Sequence, residues 1–194
     1  MEVEGTYEKR WVLFRVRPGD LLLLLQLMAR EDVDLKAETL PPDVLIADAF
    51  YDREREQCVV VLESAFFETV QARLAHNQWS GAWNEMVFAL DEDAPDPIRP
   101  FPIRGDVRWE AYLIPPERIV QILQTLSSGE RYRIAALPPD TRVVDAYHDV
   151  EKDAFILWLE SDFFERADVT HANGDVQLGM PERFLNLNRE EGPE

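Results

Sequence analysis

Apolar and polar residues follow one another along this chain in patterns that predict strands and two helices. Residues 9–16 and 107–114 are rich in β-branched and aromatic side chains, which predicts one strand in each segment. A turn containing proline follows each strand, and a helix is predicted after each turn. In the second helix apolar residues recur at the spacing of one helix face, at Ile119, Ile122, Leu123 and Leu126.

A predicted β-hairpin follows each helix. Its first strand covers residues 44–52 in one case and 141–149 in the other, directly after a Leu-Pro-Pro-Asp turn. A short polar loop then leads into the returning strands, residues 58–64 and 155–161. The order strand, helix, strand, strand therefore occurs twice, with antiparallel pairing expected in each hairpin.

The two hairpins also match residue by residue, which indicates an internal duplication. Residues 40–68 align with residues 137–165 without a gap, and 14 of the 29 aligned positions are identical. Upstream the match continues once one residue is skipped, so that Trp11 faces Trp109. We therefore predict an α+β fold, a tandem duplication of a β-α-β-β unit with a pseudo-twofold arrangement. Whether the strands form one continuous sheet stays open.

The duplication sets the predicted domain boundaries. The first unit is expected over residues 7–90, with a C-terminal extension in which 66–77 is a candidate for a further helix. The second unit is expected over residues 106–188. Between them, residues 91–105 have the composition of a Pro-rich acidic linker, and residues 189–194 are expected to form a disordered tail.

Composition places further limits on the function. The 194 residues include 38 acidic and 20 basic side chains, for a formal net charge of −18, and 46% are hydrophobic, enough to bury a core. This charge disfavours direct contact with nucleic acid, which needs clustered basic residues. Cys58 is the one cysteine, so an intramolecular disulfide is excluded. Neither a signal peptide nor an apolar run of membrane-spanning length is present, so we predict a cytoplasmic protein without membrane contact.

Acidic residues occupy matching positions in the two hairpins. Because side chains alternate along a strand, Asp48, Phe50 and Asp52 are expected on one face. Together with the returning strands, the two copies define an acidic face of six residues: Asp48, Asp52, Glu63, Asp145, Asp149 and Glu160. Either these carboxylates recognise a cationic partner, ligand or metal, or they form an ordinary solvated face whose aspartates cap turns.

Aromatic residues supply a second set of candidate contacts. Trp79 and Trp83 lie in residues 77–86, which have no sequence counterpart in the second copy, and Tyr147 and Trp158 lie in the second hairpin. Such side chains could stack on a planar ligand or anchor a partner. The alternative for the two tryptophans of the first copy is that they cover the seam between the units.

The two predicted helices differ in polarity. Gln121 and Thr125 lie opposite the apolar stripe of the second helix, whereas the first helix has Leu23 and Leu27 at these positions. A helix that is apolar on nearly all sides must be covered on more than one face. That cover is the other copy, a second chain in a homodimer, or a foreign partner.

Motifs for catalysis or metal binding do not accompany these features. His76, His148 and His171 lack the spacing of a zinc site. The sequence has neither a nucleophile elbow nor a glycine-rich phosphate loop. We therefore assign no catalytic residue, no metal and no cofactor.

Three functions fit this sequence. The first is a non-catalytic acidic binding protein that engages a basic protein surface. Its extreme form is an inhibitor that imitates nucleic acid, as small acidic accessory proteins of phages and mobile elements do. The second is a small-molecule binding or sequestering protein with its ligand at the seam between the repeats. The third is an enzyme that uses paired carboxylates as acid and base. We favour the first because both halves of the chain are acidic.

Overall fold

Secondary structure in the computed structural model follows the predicted order, with strands added around each unit. The structure describes residues 3–30, 40–88, 108–128, 132–172 and 175–189. The elements of the first half are β1 (Gly5–Lys9), β2 (Trp11–Val16), α1 (Pro18–Met28), β3 (Leu45–Asp52), β4 (Gln57–Glu63), β5 (Val70–Ala75), β6 (Gln78–Ser80) and β7 (Asn84–Phe88). Those of the second half are β8 (Trp109–Ile114), α2 (Pro116–Ser128), β9 (Tyr132–Arg133), β10 (Arg142–Asp149), β11 (Ala154–Glu160), β12 (Asp168–Ala172), β13 (Asp175–Gly179), β14 (Glu182–Phe184) and β15 (Asn188–Arg189).

Two four-stranded sheets with the same arrangement of strands organise the molecule. One has the order β3-β4-β2-β7 and the other has the order β10-β11-β8-β14. The hairpin pairs antiparallel in each sheet, and its returning strand pairs antiparallel with β2 or β8. The last strand, β7 or β14, then joins β2 or β8 in parallel. The α+β class and the antiparallel hairpins are therefore confirmed, and the strands form two sheets rather than one.

Three smaller sheets contain the strands outside the predicted units: β1-β5-β6, β12-β13 and β15-β9. The candidate helix over residues 66–77 is wrong, because that segment contains β5. Buried and exposed residues alternate along β5 with the period of a strand. Residues 91–105 and 190–194, which include the predicted linker and most of the predicted tail, lie outside the described residues, whereas Asn188–Arg189 form β15.

Both helices begin at a proline, whose fixed backbone angle suits the first turn. The predicted stripe of α2 is confirmed, since Ile119, Ile122 and Leu123 are buried and Leu126 packs against them. In α1 four leucines are buried, whereas the predicted contact residues Leu23 and Leu27 are half-buried: the buried four are Leu21, Leu22, Leu24 and Leu25. Of the helices that the structure describes, neither is long and apolar enough to span a membrane.

One hydrophobic core joins the two halves of the chain. The helix α1 contacts β10 and the helix α2 contacts β3, so each helix reaches the edge strand of the opposite sheet. The strands β3 and β10 also contact each other. Fully buried side chains of this shared core come from both halves: Leu21, Leu24, Leu25 and Leu62 from the first, and Ile114, Ile119, Ile122, Phe155, Leu157 and Leu159 from the second. Packed apolar side chains therefore fill the seam between the halves.

Smaller apolar clusters cover the outer faces of the two sheets. On the first sheet, Trp11 and Val61 pack against Val70 and Ala72 of β5, so the β1-β5-β6 sheet lies over this face. On the second sheet a cluster around Leu113 includes side chains of β8, β10 and β11. Each four-stranded sheet is therefore buried on its inner face and partly covered on its outer face, where the predicted contact residues lie.

Candidate partner-binding surface

The acidic residues of the first hairpin lie on the outer face of its sheet. Asp48, Phe50 and Asp52 point to this face, while Ala49 and Tyr51 pack against the shared core. A β-bulge just before Asp48 inserts one extra residue into β3. The strand thus keeps apolar side chains inward on both sides of the bulge and carboxylates outward.

Two carboxylates of this face are held by other parts of the fold. Asp52 accepts a hydrogen bond from Arg15 Nη1 at 2.9 Å and two more from backbone amides of the hairpin loop at 3.1 Å. Burial raises the pKa of Asp52, but the hydrogen bonds from the Arg55 amide and from Arg15 outweigh burial, so its pKa is below the usual value. Glu63 Oε2 accepts from the indole Nε1 of Trp11 at 2.6 Å. Both side chains therefore have a part in holding the hairpin.

The corresponding carboxylates of the second hairpin are engaged in a similar way. Asp149 Oδ1 accepts from two backbone amides of its hairpin loop, at 3.0 and 3.1 Å. Glu160 Oε2 accepts from Arg142 Nε at 2.7 Å across the strand pair β10-β11. The aspartate caps a turn and the glutamate forms a cross-strand ion pair, so both have structural roles.

Asp48 and Asp145 differ from these four. Each uses Oδ1 to accept the backbone N–H of the next residue at 2.8 Å. Asp48 is exposed and Asp145 is half-buried. Within the described ranges neither of them forms an ion pair. No basic side chain of these ranges therefore neutralises the two carboxylates.

The predicted aromatic contacts of the first copy belong to the cluster on the outer face. Trp79 and Trp83 meet the Trp11 ring edge-to-face, with centroids 4.9 and 5.6 Å apart. The ammonium of Lys9 lies 5.3 Å from the centroid of Trp79. Gly81 permits this packing, because a Cβ there would lie 2.4 Å from Trp83 Nε1. The two tryptophans are half-buried on the outer face of the first sheet and lie away from the seam.

Tyr147 and Trp158 lie on the outer face of the second sheet. Their rings meet edge-to-face at 6.2 Å, and Trp158 also lies 5.8 Å from the Trp109 ring. Both side chains are half-buried. The structure thus brings the predicted aromatic residues of each copy into one outer-face cluster, beside the acidic positions of the same hairpin.

Sequence reasoning missed the turn that follows each hairpin. Phe66 and Phe163 occupy the same position in the two copies, and they are 73% and 76% exposed. The next residue, Phe67 or Phe164, belongs to the shared core. The repeated Phe-Phe pair was the sequence signal for this turn. One ring of each pair packs in the core, and the other ring lies in solvent.

A serine and an aspartate hold this turn in both copies, and we call it the Ser-Asp turn (residues 64–67 and 161–164). Ser64 Oγ donates to Asp43 Oδ1 at 2.6 Å, and Ser161 Oγ donates to Asp140 Oδ1 at 2.6 Å. The other oxygen of each aspartate accepts the backbone N–H that follows the serine at 2.9 Å. Each serine oxygen accepts the N–H of the exposed phenylalanine at 3.1 Å. The same hydrogen bonds therefore fix both turns.

An arginine on the strand side closes each Ser-Asp turn. Arg10 Nη1 donates to the carbonyl of Phe67 at 2.8 Å, and Arg108 Nη1 donates to the carbonyl of Phe164 at the same distance. A groove of about 630 Å³ lies beside the first turn, and its walls combine apolar Leu45 with charged side chains of both signs. The surroundings of Phe66 therefore offer charged and apolar contacts together.

We expect the two Ser-Asp turns to lose stability together in acid. The hydrogen bond from the serine, helped by the following amide, holds the pKa of Asp43 and the pKa of Asp140 below their usual range. A carboxylate with a lowered pKa stabilises the folded state above its unfolded pKa, and this contribution is lost as the pH falls through the folded pKa.

Urea unfolding followed by circular dichroism should therefore show a loss of stability below about pH 4. The variant D43N/D140N should reduce this pH dependence, because the amide does not titrate. A double variant with the pH profile of the wild type would contradict the assignment.

Groups suited to metal or nucleophilic chemistry lie mostly inside the fold. In the described parts of the chain, no three His, Cys, Asp or Glu side chains are grouped so that they could hold a metal ion. Cys58 is fully buried, and burial raises the pKa of its thiol well above the usual value. His148 packs against the Phe155 ring, with centroids 5.1 Å apart. Cys58 and His148 therefore contribute to the packing of the fold.

Comparisons of the chain with protein-family models, with curated proteins and with solved structures give no match. The function is therefore argued from the surface of the molecule.

Proposed function

We propose that this protein is a non-catalytic acidic binding protein whose outer sheet faces engage a basic protein partner. The observation that carries the proposal is the pair Asp48 and Asp145, identical in the two hairpins and without an ion pair among the described residues. Carboxylates that the fold does not neutralise contribute to the field outside the protein. With a net charge of −18, this field attracts positive surfaces and raises the rate of association with them.

In this proposal the chain is a tandem duplication whose copies face each other across a pseudo-twofold axis. Two kinds of contact in the structure support this arrangement, and neither can be read from the sequence alignment. Arg55 in the first hairpin loop pairs with Glu85 of β7, with Nη1 and Oε1 3.4 Å apart, and Lys152 pairs in the same way with Glu182 of β14. The reciprocal packing of each helix on the opposite edge strand is also what a twofold arrangement produces. Each copy would then present the binding surface once.

The stronger form of the proposal is inhibition by imitation of nucleic acid. A nucleic-acid-binding protein gains much of its affinity from phosphates that contact its Lys and Arg side chains. Carboxylates fixed on the outer faces of two strand pairs could occupy the same basic groove. The twofold arrangement suits this role, because many DNA-binding proteins are twofold dimers that contact two half-sites.

Charge reversal at the two matched aspartates tests the proposal. The full chain is used to isolate its partner from the native cytosol, and the purified partner is then titrated by calorimetry at 50 and 200 mM salt. We expect D48K/D145K to weaken binding by about 10-fold, with a loss of salt dependence, because a positive partner surface would then meet two lysines.

The matched control is E54K/E151K, which also changes the net charge from −18 to −14 by two substitutions of +2 each. Glu54 and Glu151 are exposed and equivalent positions of the two hairpin loops. We expect this variant to bind within about 2-fold of the wild type, since salt screens charges that lie outside the contact. Equal loss in both variants, or wild-type binding that is insensitive to salt, would overturn the proposal.

A further inference from the structure

Folding does not account for the two exposed phenylalanines of the Ser-Asp turns. Phe66 and Phe163 are 73% and 76% exposed. Most of each ring is therefore in solvent and adds little to the buried apolar surface of the fold. The residues just before them have diverged between the copies, with Ala65 in one and Asp162 in the other. An apolar ring thus stands in solvent at two equivalent places of the repeated block, although the residue before it differs.

Both rings are presented on a rigid backbone. Three hydrogen bonds to the serine and aspartate fix each turn, and the adjacent phenylalanine is anchored in the shared core. A contact residue on an ordered backbone loses little conformational entropy when it binds. This pre-organisation is typical of an anchor residue and is not needed for an ordinary surface side chain.

The surroundings of the two rings contain more acidic than basic side chains, although Arg10 and Arg108 close the two turns and Arg166 follows the second. Glu68 follows Phe66 by two positions, and both Asp162 and Glu165 flank Phe163; all three acids are exposed. Glu68 accepts a hydrogen bond from the neutral Asn84 side chain at 3.2 Å and forms no ion pair among the described residues. Like charge therefore opposes docking of a second copy of this chain, and it opposes docking on an anionic lipid surface. A positive surface is the complementary one.

We propose that Phe66 and Phe163 are twin anchors for a basic protein partner, which offers each ring an apolar pocket rimmed by Lys or Arg. The proposal rests on the function proposed above and adds the contact that gives it specificity. Charge brings the partner to the acidic face, and the rings select a partner with the matching pocket. Because the two turns are equivalent, one chain has two partner sites.

Photocrosslinking of the full chain tests the contact directly. The probe is p-benzoylphenylalanine, placed at position 66, at position 163 or, as a control, at position 184 on the edge strand β14. Phe184 is suitable because it is also an exposed phenylalanine, at 55%. We expect the same basic protein to be crosslinked from positions 66 and 163 and not from 184. Different proteins at the two positions, the same product from all three, or no product would overturn the inference.

Titration of that purified protein gives the second readout. We expect F66A/F163A to bind about 10- to 100-fold more weakly, the effect of removing a phenylalanine from an apolar pocket. Each single variant should leave one partner site per chain at the wild-type affinity and weaken the other, and F184A should bind like the wild type. An unchanged affinity in F66A/F163A would contradict the anchor role.

The outcomes separate this inference from the function on which it rests. Binding that weakens with salt and with D48K/D145K, yet is unchanged in F66A/F163A, overturns the twin anchors and leaves the acidic binding function standing. Binding that is lost in F66A/F163A, yet ignores salt and the charge reversal, overturns the electrostatic function. Only sensitivity to both sets of substitutions supports both.

Discussion

Replacing Phe155 with alanine should lower the free energy of unfolding by about 3–5 kcal/mol, the range for deletion of a large aromatic side chain from a core. Phe155 is fully buried in the core that joins the two halves. Its removal leaves a cavity between elements of both copies, which rigid packing can fill only in part. Urea-induced unfolding followed by tryptophan fluorescence and by circular dichroism would measure the loss.

The equivalent position of the first copy supplies the matched control. Cys58 aligns with Phe155 and is equally buried, but Cys58→Ala removes one sulfur atom and should cost about 1 kcal/mol. Because the core is shared, we also expect one cooperative transition in which both probes shift together. Two transitions, of which F155A shifts one, would mean that the halves are stabilised separately and would contradict a joint core.

Local patterns account for the parts of the fold that could be predicted. The period of the α2 stripe and the turn residues around each hairpin are encoded within a few residues, and both predictions are confirmed. The candidate helix over residues 66–77 was wrong, although apolar and polar residues alternate over most of residues 70–75 with the period of a strand. Val70 and Ala72 are buried because β5 packs against Trp11 and Val61 of the first sheet, and no local pattern reports this packing.

The added edge strands show a different limit of sequence analysis. Glu85 and Glu182 occupy equivalent places beside β2 and β8, and both pair with a cation of the hairpin loop. The sequences around them have diverged, but the two glutamates keep the separation of 97 residues at which the hairpins align. Parallel pairing with a strand some 70 residues away has no local signal, so the sequence alone could not reveal it.

For the candidate surface, too, local relations between residues could be predicted and long-range contacts could not. Strand alternation correctly gave the shared face of Asp48 and Asp52, because that relation is local. The ion pair of Asp52 with Arg15 depends on the order of strands in the sheet, and a sequence pattern does not contain it. Phe66 was missed for another reason: a phenylalanine in an apolar segment is usually assigned to the core, and only the structure shows its exposure.

Arg15 is the clearest case in which one copy uses charge where the other uses an apolar side chain. Its side chain is 9% exposed, and it binds Asp52 at 2.9 Å and Glu85 at 3.1 Å. The equivalent residue of the second copy is Leu113, which is fully buried in an apolar cluster. At this position the first sheet therefore has an ion network, whereas the second sheet has an apolar contact.

The substitution R15L introduces the residue of the second copy at this position. We expect it to cost about 3 kcal/mol, the lower end of the range for breaking a buried ion pair, because the carboxylates left behind keep some contact with solvent. The lowered pKa of Asp52 makes the effect pH-dependent, since arginine favours the ionised form. The difference between wild type and R15L should be largest above about pH 4 and should shrink as Asp52 becomes protonated in acid.

The double variant R15L/D52N distinguishes loss of the ion pair from simple misfit of leucine. An asparagine at position 52 can still accept the two loop amides that Asp52 accepts now, but it leaves no unpaired charge. We therefore expect it to recover about 1–2 kcal/mol of the stability that R15L loses, measured by urea unfolding at pH 7. If D52N lowers stability further in the R15L background, the cost of R15L comes from packing. In that case the side chains around Leu113 in the second sheet would fit a leucine, and those around position 15 in the first sheet would not.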